Sequence, residues 1–285
     1  MLGLRTLARG AVVAQVAALL AASGPAHAGP GVGLVPHRAV YDMELMEADE
    51  RSGVAALSGR MVYDFSGSSC EGYSISFRFV TEFVGAEGGS QITDLRTSSY
   101  EGGQGNSFQF LSKTFVDQKQ VEATRGTAKD DGKTKTVSLQ DPENREFEID
   151  QSTLFPTVHL RKIIEAARQG EAFLAAEVFD GSETGDKVYS TTTVIGAAHD
   201  GVGATDPDWQ ETDLSELPAV THWPVTIAYF DPENADGGEE TPAYQLSFLL
   251  YENGISRQLA LDYGDFSIRG SLSDLELYEE TACTN

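Results

Sequence analysis

Positive charge is what this sequence most lacks: 20 Lys and Arg stand against 44 Asp and Glu in 285 residues, a formal net charge of −24. A surface that acidic repels phosphate backbones and anionic headgroups, which excludes nucleic-acid binding and an electrostatic membrane anchor. Cysteine is nearly absent. The 2 in the chain are too few for a thiolate metal site, and neither has a His near it in sequence to complete a tetrahedron. No apolar run approaches the roughly 20 residues that cross a bilayer as a helix. Internal repeats are missing too, which excludes solenoids and propellers. Against these shortages, hydrophobic residues make up 40% of the chain, enough to build a core, so a disordered polyanion is excluded as well.

The longest apolar stretch lies at the start. Arg5 and Arg9 precede the run from Ala11 to Ala22, and Ala26-His27-Ala28 places small residues where a signal peptidase reads. This is the pattern of a Sec-type signal peptide, residues 1–28, cleaved after Ala28. The run is too short for a retained anchor, and no Cys near the cleavage site supports a lipoprotein. The expected mature chain, residues 29–285, is a single soluble periplasmic domain with no transmembrane segment. In that oxidising compartment Cys70 and Cys283 are expected to pair, tying the last strand to an early one. The alternative is two unrelated free thiols.

The dominant period along the mature chain is two. Met61, Tyr63 and Phe65 alternate with Val62 and Asp64, and Ile75, Phe77 and Phe79 alternate with Ser74, Ser76 and Arg78. The alternation returns at Phe108 and Phe110, at Val137 and Leu139, at Phe147 and Ile149, and at Trp223, Val225, Ile227 and Tyr229. Each run reads as a half-buried strand. Turn signals at Gly88-Gly89, Gly102-Gly103, Asp131-Gly132 and Asn253-Gly254 separate them. Toward the C-terminus, Leu246–Tyr251 and Ile255–Tyr263 flank Asn253-Gly254 as a hairpin with an expected type I′ turn, and Phe266, Ile268 and Leu272 follow. Strand succeeds strand with no space for crossover helices, so the expected fold is mainly β: a long, curved antiparallel sheet, a spiral or open barrel.

One segment breaks the period. Leu160, Ile163, Ile164 and Ala167 fall at i, i+3, i+4 and i+7, while His159, Arg161, Lys162, Glu165 and Arg168 point elsewhere. That spacing predicts an amphipathic helix from Pro156 to Gln169, begun by Pro at its first position and ended by Gly170. The helix must bury its stripe on the apolar face of the sheet, as a plug or a lid. Residues 197–218 and 231–242, rich in Gly, Asp, Thr and Pro, read as exposed loops.

A search for chemistry returns little. Gly254-Ile255-Ser256-Arg257-Gln258 begins like a nucleophile elbow and ends wrongly, inside a hairpin. The histidines of the mature chain, His37, His159, His199 and His222, are scattered, and each is read as a surface or helix-cap residue. Carboxylates are too numerous for sequence to single out an acid pair. Asp180–Asp186 resembles the start of a calcium loop, yet position twelve is Thr191 instead of the bidentate Glu, which favours a turn between strands. No catalytic residue, cofactor or metal site is therefore expected. The inward aromatics Tyr63, Phe65, Phe77, Phe79, Trp223, Tyr229, Phe248 and Phe266 either pack as core or line a groove for an acyl chain.

Several strings carry a resemblance: His37–Asp42, Phe155-Pro156-Thr157, Phe179-Asp180-Gly181-Ser182, Trp223-Pro224-Val225, Leu250–Gly254 and Asp262–Phe266. In this order they make the chain similar to the cell-envelope-integrity EipB family over nearly the whole mature length. The resemblance implies an alphaproteobacterial periplasmic protein with a spiral antiparallel sheet like the half-barrels of lipoprotein carriers. It also implies a disulfide between an early and a terminal cysteine, here Cys70 and Cys283, and a part in envelope homeostasis and resistance to envelope stress. It implies no catalytic set. The expectation that follows is a non-enzymatic binding protein whose partner is a periplasmic protein, such as a tetratricopeptide-repeat protein, or envelope material. The alternative is a lipid or lipoprotein carrier with the helix as a movable lid.

Overall fold

Alternating side chains build fourteen strands and one helix in the computed structural model, which describes residues 33–203, 209, 211, 214–231, 241–279 and 283. The expected leader lies outside these residues, as does most of the 231–242 loop. The strands are β1 (His37–Ala48), β2 (Val54–Ser68), β3 (Gly72–Gly85), β4 (Ser90–Glu101), β5 (Ser107–Val116), β6 (Lys119–Asp130), β7 (Lys135–Asp141), β8 (Arg145–Ile149), β9 (Phe173–Val178), β10 (Tyr189–Ile195), β11 (His222–Phe230), β12 (Tyr244–Tyr251), β13 (Ser256–Asp262) and β14 (Phe266–Leu277). The helix α1 (Pro156–Arg168) separates β8 from β9.

All fourteen strands form one antiparallel sheet in the order β8-β7-β6-β5-β4-β3-β2-β1-β14-β13-β12-β11-β10-β9. Every neighbour is also a chain neighbour except β1 and β14, which pair from His37↔Leu277 to Ala48↔Phe266. The sheet curls strongly. Phe83 of β3 and Phe266 of β14 touch edge to face at 6.1 Å, although β2 and β1 lie between them, a separation of about 14 Å in a flat sheet. The terminal strands β8 and β9 do not pair, so the curl stays open. One parallel bridge, Leu154 to Val178, joins the chain just before α1 to β9.

The concave side holds the larger core. Ile163, Ile164, Ala166 and Ala167 of α1 are buried in one cluster with Tyr41, Met61 and Phe65 from one limb of the sheet and Trp223, Val225 and Leu250 from the other. A second cluster, Phe108, Phe110, Ala128, Val137, Leu139, Phe155 and Phe179, fills the limb formed by β5 to β7. Gly170, at φ +76°, ends α1 as its sequence position implies. Its N–H donates to Ala167 and that of Glu171 to Ala166, each at 3.0 Å, which satisfies carbonyls the helix would otherwise orphan.

The β12–β13 connection differs from expectation. A type I′ turn needs positive φ at both central residues, but here Gly254 has it and Asn253 does not. The Gly254 N–H donates to the Tyr251 carbonyl at 2.8 Å and Tyr251 N–H to Ile255 at 2.9 Å, a three-residue loop closed by a glycine bulge. The extra residue arises because Asn253 Oδ1 accepts from the Ile255 N–H and stabilises the wider turn.

The described residues of the stretch 197–218, namely 197–203, 209, 211 and 214–218, also depart from the exposed loop expected there. Leu217 is buried and Val202 and Leu214 pack against the main core, while His199 forms an antiparallel bridge with His222. Three apolar residues spread among Gly, Asp and Thr give no periodic signal, yet they suffice to seat a strap.

Candidate functional site

The concave face and α1 form the candidate site. Phe155, the residue before α1, offers no side-chain cap, so the free N–H groups of the first turn need another acceptor. Glu101 at the end of β4 supplies it: its carboxylate accepts from Thr157 N–H at 2.7 Å and from Val158 N–H at 3.0 Å. The side chain is buried. Desolvation pushes its carboxyl above the usual carboxylate range, against the opposing pull of these N–H donors and Arg161. Buried Lys135 secures the approach to the helix, donating to the carbonyls of Thr153 at 2.6 Å and Gln151 at 3.1 Å and standing over the Phe155 ring at 5.1 Å. Neither residue carries a sequence signal, since each reaches across the fold to its partners.

Of the residues expected on the helix stripe, Ile163, Ile164 and Ala167 are buried in the main core and Leu160 is half-buried against it. Thr157 and His159 are buried as well, so α1 is enclosed on more than one face. The eight expected inward aromatics all meet one cluster. Phe65, Trp223 and Phe248 are buried within it, and Tyr63, Phe77, Phe79, Tyr229 and Phe266 pack against it half-buried. Along β3 the inward positions run from buried Tyr73 to half-buried Ile75, Phe77, Phe79 and Phe83. Burial raises the hydroxyl pKa of Tyr63 and Tyr229 well above the ordinary value, so both remain neutral donors facing the interior.

Polar contacts fix the other limb. Tyr41 donates to the Ser256 carbonyl at 2.7 Å. Arg257 Nη1 meets Glu211 Oε2 at 3.0 Å with both side chains at 0% exposure, and Gln258 Nε2 donates to the same oxygen at 3.2 Å. This ion pair anchors the strap to β13.

The histidines do not sit where sequence reading put them. His37, His159 and His222 are buried, and only His199 is exposed. His37 Nδ1 lies 2.7 Å from the Val35 carbonyl, and the ring stands beside Tyr63 and Phe65 at 5.8 and 5.9 Å. His222 stacks between His199 at 5.6 Å and Tyr251 at 4.8 Å. Strand alternation places His37 inward with Ala39 and Tyr41, whereas His222 falls on the face opposite Trp223 and Val225 and is covered there by His199 and Tyr251; the ring carbons make that burial tolerable. Desolvation lowers all three buried imidazoles, His159 to about 4.

Asp180–Asp186 is a turn between β9 and β10. Asp180 Oδ1 accepts from the Ser182 N–H at 2.9 Å. Gly181, at φ +68°, lies so close to Phe110 that a Cβ would stand 2.4 Å from the ring. Among the described residues no three His, Cys, Asp or Glu side chains converge as a metal site, and no helix is long and apolar enough to cross a membrane. Cys70, in the β2–β3 turn, and Cys283, beyond β14, are joined by a disulfide with Cα atoms 5.8 Å apart.

Comparison with known proteins agrees with this geometry. The EipB-like family model matches residues 28–279. The chain is 43% identical over 267 residues to the cell envelope integrity protein EipB of Brucella abortus (strain 2308), covering 92% of each. A crystal structure described as a beta-barrel-like protein of a domain of unknown function, also from Brucella abortus, superposes with a TM-score of 0.79 at 42% identity, covering 87% of this chain and all of that one.

Proposed function

The chain belongs to the EipB-like family, and from that premise we propose that it acts in the periplasm as a non-enzymatic binding protein that maintains the cell envelope. Its working parts are surfaces of the curled sheet, and its partner is a periplasmic protein or a component of the envelope. The observation that carries this reading is the 43% identity to a cell envelope integrity protein over 92% of both chains. It is supported by the use to which the buried polar groups are put. Glu101, Lys135, Arg257 and Glu211 each hold a helix end, a segment or a strap in place, and tethered groups of that kind are poor candidates for acid–base work. The signal-like sequence pattern of residues 5–28 and the Cys70–Cys283 bridge support the compartment.

The test is genetic. Deletion of the gene in its host should sensitise cells to detergent and to cell-wall antibiotics, and the wild-type gene should restore resistance. Undiminished resistance in the deletion strain would overturn the reading.

A carrier of lipid or lipoprotein is the second reading, favoured by the half-buried row Ile75, Phe77, Phe79 and Phe83 on the inward face of β3. In that version an acyl chain lies along this row. Native mass spectrometry of protein purified from its own periplasm should then show a reproducible acyl ligand, and a bare mass would remove the carrier.

A further inference from the structure

The two ends of the sheet are not equivalent. The outer side of β9 is taken up at its C-terminal end, where Leu154 N–H donates to the Glu177 carbonyl at 2.7 Å and Phe179 N–H to the Leu154 carbonyl at 2.9 Å. β8, residues Arg145–Ile149, pairs with β7 on one side, and among the described residues no strand meets the other. A free strand edge exposes unpaired N–H and C=O groups that another chain can join, and proteins ordinarily cover or blunt it. Here the edge borders a groove of about 470 Å³ between β8 and the segment leading into β10.

Phe147, Ile149 and Val188 provide the apolar floor of that groove, and Glu148, Asp150 and Glu177 belong to its acidic rim. Lys187, the basic residue of the lining, is bound to Asp231 and Glu183 at 2.7 Å each. Along β8 the side chains alternate: Phe147 and Ile149 are half-buried toward the second core, and Glu146 and Glu148 are exposed on the opposite face. That alternation selects an occupant. A second copy of this chain paired through β8 would set Glu146 and Glu148 against the same residues, and like charges directly across a strand pair are destabilising. A strand with aliphatic residues at alternate positions and Lys or Arg between them meets both faces, apolar against Phe147 and Ile149, basic against the two glutamates.

We infer that β8 is a docking edge at which an extended, basic segment of another protein adds as a fifteenth strand, partly filling the opening of the sheet. Main-chain hydrogen bonds to β8 hold the segment, and the alternation of floor and glutamates sets its register and composition. The inference rests on the binding reading proposed above and specifies the surface and the chemistry of the partner.

The test uses the oxidised full-length mature protein and a fluorescein-labelled ten-residue peptide alternating Val and Lys. Fluorescence anisotropy should show saturable binding. Methylation of alternate backbone nitrogens on the peptide edge facing β8 should weaken it at least tenfold, as should the double substitution Glu146→Lys, Glu148→Lys. Both glutamates are exposed, so the variant should melt with the wild type. Hydrogen exchange should slow within 145–149 when the peptide is present. Absence of binding, equal binding of the methylated peptide, or protection confined to other strands would each overturn the docking edge, the second because it indicates only charge attraction. Returning the Glu146→Lys, Glu148→Lys gene to the deletion strain separates the two proposals. Full restoration of resistance refutes the docking edge and leaves the envelope role standing, whereas failure of the wild-type gene itself refutes the role.

Discussion

Acid should loosen this protein through His159, and the size of the effect follows from the burial of one imidazole. His159 lies in α1 with its Nε2 lacking a hydrogen-bond partner, and desolvation lowers its pKa from 6.5 to about 4. In the unfolded chain the ring takes a proton near pH 6.5, whereas in the folded chain it stays neutral down to about pH 4. Between these values the unfolded state binds more protons, so stability falls as pH falls. At about 1.4 kcal/mol per pKa unit the whole window corresponds to about 3 kcal/mol. Glu101 and Asp180, whose carboxyls burial raises, act in the opposite sense: they bind protons more readily when folded, and their contribution is lost as pH rises through their folded values. Both are common to wild type and variant, so comparison isolates the histidine. Urea unfolding of wild type, His159→Leu and His159→Gln at pH 7.5 and 4.5 should show the wild type losing about 2–3 kcal/mol more than either variant over that interval. Parallel losses would refute the reasoning and show that the imidazole becomes protonated in the folded state without penalty.

Further outcomes follow from the other buried contacts. Replacing Cys70 by Ser opens a bridge that spans 213 residues. The chain-entropy model assigns such a loop about 5 kcal/mol, so calorimetry should show a melting point lower by roughly 10 °C or more, with the sheet signal in far-ultraviolet circular dichroism retained; equal melting points would refute it. Arg257→Met leaves Glu211 charged and enclosed, at a cost of about 3–5 kcal/mol in denaturant unfolding, and adding Glu211→Leu should recover much of it. A double variant no better than the single one would contradict that account. Glu101→Leu strips two N–H groups of α1 of their acceptor, for a loss of about 2–4 kcal/mol, and Glu101→Gln should lose less because one carbonyl remains. Identical losses for the two would show that charge, and not acceptance, holds the helix.

The strands that sequence displays plainly are those whose inward positions are large and apolar. β2, β3, β11 and β12 announce themselves through Phe65, Phe77, Trp223 and Phe248. β4, β6 and β10 are quieter, because Thr97 and Ser99, Thr124 and Gly126, or Thr191 and Thr193 occupy the corresponding positions, and small polar side chains leave no contrast with the outward face. The helix stripe was legible from its 3.6-residue period, and the cysteine pair from the compartment expected for it. The contacts that place the helix were not. Glu101 to Thr157 spans 56 residues and Arg257 to Glu211 spans 46, and a periodicity argument has no access to partners so distant. The histidines were misplaced because a ring of mixed character is read as polar in sequence: register turns His37 inward, whereas His222 is covered by His199 and Tyr251, which no periodicity brings to it.

The position of β1 has a consequence for the order in which the molecule can be completed. Tyr41 stands opposite Met61 on one side and Leu272 on the other, so the earliest strand of the sheet takes its second neighbour from the last strand of the chain. A polypeptide emerging N-terminus first can zip β1 through β8 as successive hairpins. Its opening strand, however, keeps one flank bare until residue 277 has arrived, and such late long-range pairing is slow. Synthesis of this protein therefore carries an interval in which a long β flank is open to capture, and a chaperone that shields it would act on β1 before any other part of the chain.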